Sequence, residues 1–343
     1  MTVPLALVTH AARTPIGLIA ETSAAAARAR LSRIEEFPFI GREGEPIHAG
    51  ADLILPASLS GPERTLALAW SVLDEAIRKL TLLEFAGPAC LTLVLPEPRP
   101  GFTSSQAKAV RDSLASALAE RGWSVELELD LGGHAGVARV LERIAERPGD
   151  TRLHFVIAVD SHLSPETLEW LERSELLMGP RNPGGLIPGE AGACLVVATE
   201  ELRASQRLPV LARVRSSSTA FEASGRENDV GSLGEALTAA VRGATSTLGL
   251  PEDAPEAIYI DLNGERYRSE EWGFVHLRVA EAFGAASPSI PSDCWGDVGA
   301  ASGALFAILA AQSWARGYAP GSRALCLTGS LGGLRGAVLL ESP

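Results

Sequence analysis

Between residues 62 and 98 the apolar positions first fall at helical spacing and then run together. Leu66, Trp70, Leu73 and Ile77 recur every three to four residues, and after a break Leu91–Leu95 form a continuous apolar strand. The same order returns at 231–265, with Leu233, Leu237, Val241 and Leu248 at helical spacing and a strand from Ile258 to Leu262. The echo continues downstream. A helix around Ser105–Arg121 precedes GGHAGVARVLERIA at 132–145, and one around Glu270–Phe283 precedes GDVGAASGALFAILAA at 296–311. Strands FVIAVDS (155–161) and ALCLTGS (324–330) follow, and each series closes with a Gly-rich turn into an apolar strand, at 188–198 and 332–341. Five elements repeated in one order predict a duplicated α/β chain, each half running β-α-β-α-β-β. Near-continuous apolar strands predict sheets covered on both faces by helices.

Two stretches stand outside the repeat. Residues 20–60 read as a short helix and a Gly/Pro-punctuated excursion. Residues 162–187 hold LSPETLEWLERSELL, a helix with Ser164 as cap and Pro165 at its first position, then the loop GPRNPGGLIPG. The halves are expected at 1–199 and 207–343, with a linker near 199–209. A chain of 343 residues fits such a division. Its net charge of −12 argues against a nucleic-acid partner, which needs clustered Lys and Arg. No leader pattern opens the chain and no apolar run reaches about 18 residues, so neither a membrane segment nor a membrane partner is expected, and the cytoplasm is the expected location. Cys90, Cys194, Cys294 and Cys326 are scattered, and the three inside apolar runs read as buried, reduced thiols.

With these elements in place the chain resembles the β-ketoacyl synthases of the thiolase superfamily. VTHAARTPIG (8–17) looks like their first strand and turn, and LIPGEAGACLVV (186–197) like their GEGAGxLVL strand. GDVGAASGALFAILA resembles their GHxxGAAG helix, and GSLGGLRGAVLLE (329–341) is similar to their FGFGGxNxxLVL ending. The resemblance implies two β-α-β-α-β-α-β-β halves in five layers, α-β-α-β-α, usually in a dimer with itself or with a second thiolase-fold chain, and no cofactor.

The resemblance also implies a cysteine at a helix N-terminus, where unpaired N–H groups favour a thiolate, and two histidines that assist decarboxylation. The cysteine motif falls on DLGGHAGVARVL, placing Asp130 or, with a one-residue slip, Leu129 at the cysteine. The histidines fall on Asn263 and Asp297, the supporting lysine near Ser292, and the gate phenylalanine on Gly329. A carboxylate is a poor acyl acceptor and repels a malonyl carboxylate by roughly 4 kcal/mol at 4 Å and moderate dielectric. Condensation is therefore not expected.

Three functions compete. The first is a silent subunit or adaptor, since chain-length factors lack the nucleophile yet pair with an active synthase, and condensing-enzyme-like proteins also accompany secretion systems such as type VI. The second is an acyltransferase or thioester hydrolase built on Asp130, His134 or Asp297, with Cys294 the only thiol near the old pocket. The third is an acyl-binding module using the old tunnel. The bland alternative is that Asp130, Asn263 and Asp297 cap helices and tie down loops, that His134 bonds a neighbouring carboxylate, and that Glu265, Arg266, Arg268, Glu270 and Glu271 are solvated surface. The Gly-rich turns at 184–192 and 329–336 lead into strands and so do not read as phosphate cradles.

Overall fold

A computed structural model describes residues 3–83, 85, 87–123, 125–223 and 232–343. The first half comprises β1 (Leu5–Arg13), α1 (Ala20–Arg28), the hairpin β2 (Glu35–Ile40) and β3 (Pro46–Ala49), α2 (Gly61–Thr81), β4 (Ala89–Val94), α3 (Ser104–Glu120), β5 (Glu126–Asp130), α4 (Gly136–Ala145), β6 (Leu153–Ser161), α5 (Pro165–Arg173) and β7 (Glu190–Thr199). A short α6 (Glu200–Ser205) leads to the second half: β8 (Ala212–Phe221), α7 (Glu235–Thr245), β9 (Ala257–Ile260), α8 (Arg266–Arg278), β10 (Pro288–Ser289), α9 (Ser292–Trp295), α10 (Ser302–Ala315), β11 (Arg323–Gly329) and β12 (Leu334–Glu341).

The duplication is visible in the strand order. The main sheet runs β10-β9-β11-β12-β8-β1-β7-β6-β4-β5, so each half contributes its five strands in the order 3-2-4-5-1 and the two first strands meet in the middle. That junction is short and antiparallel, pairing Leu5, Ala6 and Leu7 with Val214, Arg213 and Ala212. β6 and β7 are buried along their whole length, which is why they read as continuous apolar runs.

Three apolar clusters define the layers. α2 and α3 cover the outer face of the first half with Leu68, Val72, Leu73 and Leu114, and α7 and α8 cover the second half with Leu237, Val241 and Val275. Between the halves lie α4 and α10, packed against strands of both. Every residue of α10 from Ser302 to Ser313 is buried, as an unbroken apolar helix must be. The two excursions pack on one another, with Ile47 of the hairpin against Leu168, Leu171, Leu176 and Trp170.

Several local expectations change. The excursion at 20–60 holds a hairpin, not only a helix and loop. A third strand, β5 or β10, separates the second and third helices of each half. β5 escapes notice because ELELD alternates charged and apolar side chains at a sheet edge, and β10 because it is two residues long. α7 ends at Thr245, leaving Leu248 beyond it and Leu233 before it and 36% exposed. Ser164 caps α5 as its position requires, accepting from Thr167 N at 3.2 Å, and Pro165 follows it. No helix of the described residues is long and apolar enough to cross a membrane.

Candidate functional site

The central helices begin side by side, each entered through a glycine in the left-handed region. Gly133 (φ +57°) opens the 3-10 turn 133–135 before α4, and Gly299 (φ +51°) opens the turn 299–301 before α10. Each half caps the other's helix. Ser330, after β11, accepts from Ala135 N at 2.9 Å and donates to Gly132 O at 2.6 Å. Asp160, near the end of β6, accepts from Ala300 N at 3.0 Å and is held by Arg99. A Cβ at position 299 would stand 1.8 Å from Asp160 Oδ2, so glycine is required there.

Between the entrances a closed polar network has formed. Asp297 Oδ1 meets His134 Nε2 at 2.8 Å and accepts from Gly299 N at 2.8 Å, while Oδ2 accepts from Asn263 Nδ2 at 2.6 Å. Asn263 also donates to Glu265 Oε2 at 3.0 Å, and Arg268 bridges Glu265 (3.2 Å) and Asp261 (3.0 Å). Asp261 in turn accepts from Gly329 N at 2.8 Å. Burial works against the Asp297 carboxylate, but the His134 charge and hydrogen bond, then His162 and Arg268, reverse it and hold the group well below the usual carboxylate range. Burial likewise works against a charged His134, and Asp297 overcomes it, so the imidazole's pKa is raised. The pair joins the mouths of α4 and α10, each partner favouring the charged form of the other.

The space that remains is about 10 Å³, lined by Asp261, Asn263, Trp295, Asp297, Ser302 and Phe306. That is about the volume of a single water site, too small for an acyl group. A separate cleft of about 280 Å³ lies beside it, where Glu97, Arg99, Gly133, His134, Asp160 and Trp170 meet.

The sequence-derived candidates divide. Asn263, Asp297 and His134 come together; the histidine's carboxylate is Asp297, from the other half, and not the nearby Asp130. Asp130 stands apart at the end of β5, accepting from Gly132 N at 2.9 Å and paired with Arg139 (2.6 Å) and Arg143 (3.3 Å). The residue at the helix mouth is instead Gly133, three positions later, and Leu129 packs in the outer core. Ser292 donates to Leu262 O, and Gly329 serves the network through its N–H.

Cys294 is 5% exposed, and burial followed by Asp293 raises its thiol pKa. Burial raises Cys90, Cys194 and Cys326 in the same direction. None of the four is an activated thiolate. The charge cluster after Asn263 is only partly surface: Glu265, Arg268 and Glu271 are buried, while Arg266 and Glu270 pair in the open. His162, Arg99 and Asp160 escaped sequence reasoning. His162 is 2% exposed, lowered in pKa by burial and by Arg99, and lies where a single histidine after an apolar strand carries no recognisable pattern.

Solved ketosynthases superpose along the full length of the chain. It is similar to the ketosynthase ApeO in complex with its chain length factor ApeC from Xenorhabdus doucetiae, with a TM-score of 0.79, 13% identity, and coverage of 99% of this chain and 98% of that one. The chain has the ketosynthase fold. The ishigamide ketosynthase/chain length factor gives a TM-score of 0.78 at 14% identity with both chains fully covered. A β-ketoacyl synthase from Burkholderia phymatum gives 0.73 at 13%, again over both whole chains. No family model matches the sequence, and no curated protein matches it. At such identities the ketosynthase likeness is one of fold, and the local chemistry has to be read from this chain's own residues.

Proposed function

We propose that this ketosynthase-fold chain has abandoned condensation and serves as a protein partner, in the manner of a chain length factor beside an active synthase. The observation that carries the reading is the chemistry of the helix mouths: no side chain at Gly133, a buried His134–Asp297–Asn263 network, and only about 10 Å³ of free space around Asn263 and Asp297. Condensation needs a thiolate to hold the acyl group and neutral donors for the developing enolate. An ionised Asp297 opposes both a malonyl carboxylate and an oxyanion. Two of the structures sharing the fold are described as ketosynthases with a chain length factor, which favours a thiolase-fold partner.

A hydrolase built on His134 is the weaker reading. His134 does line the 280 Å³ cleft, but its Nε2 is engaged by Asp297 at 2.8 Å, and among the described residues no serine or cysteine is hydrogen-bonded to it as a nucleophile. The tagged chain, purified from its source cells, should bring down a second ketosynthase-fold protein that retains cysteine and both histidines, in one-to-one ratio. Recovery of secretion-system components instead would assign it to the other precedent. Recovery of the chain alone, turning over acyl thioesters, would overturn the proposal.

A further inference from the structure

At the opposite end of α10, about 20 Å from the His134–Asp297 network by helix rise, a further cavity opens between α1 and the helix C-terminus. It measures about 580 Å³, within the range of small-molecule sites. Ala24, Ala25 and Ala29 supply its apolar lining, Ala25 and Ala29 being exposed. Arg28 and Arg316 line it too, with Tyr318 and Gln312.

The charge there is unusual for this molecule. The chain carries 42 acidic against 30 basic residues, and most of its arginines are paired with carboxylates. Among the described residues neither Arg28 nor Arg316 has a carboxylate within 4.0 Å. Arg28 lies over the Tyr318 ring at 4.0 Å, which engages the face of the guanidinium and leaves its N–H edge available. Burial raises the Tyr318 phenol's pKa while Arg28 and then Arg316 lower it, so both positive charges act on this one ring. The acid in the same cavity, Glu21, shares the Lys79 ammonium with Glu75, at 2.9 and 2.7 Å.

We propose that this cavity binds a small organic anion, with its carboxylate or phosphate held between Arg28 and Arg316 and its apolar body laid against Ala24, Ala25 and Ala29. The site is independent of the partner role and of the sealed network.

The test is calorimetric titration of the full chain with octanoate, octyl phosphate and inorganic phosphate. One of the two octyl anions should bind saturably and raise the melting temperature, and the tighter of them identifies the head group. Arg28→Gln and Arg316→Gln, both exposed at helix ends, should keep the parent melting temperature and each weaken binding at least about tenfold, the worth of one charge-assisted hydrogen bond. Lys108→Gln, an equal loss of charge on the exposed face of α3, should leave affinity unchanged. Absence of saturable binding by either octyl anion, equal affinity for inorganic phosphate, or indifference to both arginine substitutions would each overturn the proposal.

Discussion

Asp297→Asn probes the ion pair that closes the site. The replaced carboxylate is 5% exposed and receives His134, Asn263 and Gly299 N. The amide keeps nearly the same shape but loses the charge, and with a single acceptor oxygen it must turn its NH2 toward a donor, Asn263 Nδ2 or Gly299 N, at a cost of about 1–3 kcal/mol. The larger effect is on pH dependence. In the parent, His134 has a raised pKa, so its contribution is fully present below the unfolded value of about 6.5 and is lost as pH rises through the folded value. In the variant the Asp297 charge and hydrogen bond are gone, burial and Arg268 are opposed only by Asp261, and the pKa falls below the unfolded value of about 6.5. Below that pH the unfolded chain binds a proton that the folded variant refuses, lowering its stability by about 1.4 kcal/mol per pH unit. The stability gap between parent and variant is therefore widest in mild acid and narrows as pH rises. Chemical denaturation of both proteins at about pH 5.5 and about pH 8 measures it. A gap independent of pH, or one that widens with alkalinity, would refute the ion pair.

Three further outcomes follow from particular contacts. Glu190→Ala strands Arg64, now bonded to it at 2.5 and 2.6 Å in a buried site, and should cost about 3–5 kcal/mol in denaturant melts, whereas replacing both by apolar residues of similar size should cost less. Gly299→Ala forces a Cβ onto Asp160 and should lower the melting temperature well beyond Gly122→Ala, whose position also has positive φ but meets nothing within 4 Å. All four thiols should resist a thiol reagent in the native state and react together on unfolding; one fast native thiol would contradict the buried, raised-pKa assignment.

The fold was legible because its signals are local and repeated. Helical spacing over 62–77 and the continuous strands at 155–161 and 324–330 needed no tertiary information, and the all-apolar α10 could only be buried. β8 was hidden because RVRSSSTAF reads as polar, yet its serines are absorbed by the central and outer helices, Ser217 donating to Ala138 O and Ser216 to Ala244 O. Asn263 and Asp297 were found through motif position, and the structure brings them within 2.6 Å. Their partnership with His134 was not legible, since it joins residues 163 positions apart across the two halves. Asp130 misled because acidic residues near a Gly-rich turn look alike in sequence, whether they face a pocket or a row of arginines on the next helix.

On the proposed reading, the site between the two helix mouths holds no acyl acceptor. Intact-mass spectrometry of the purified chain after incubation with acyl-CoA and malonyl-CoA, with release of carbon dioxide followed in parallel, tests it directly. An unshifted mass and no decarboxylation above buffer are expected. A stoichiometric acyl adduct, released by hydroxylamine and mapping beside Gly133 or onto Cys294, would contradict it.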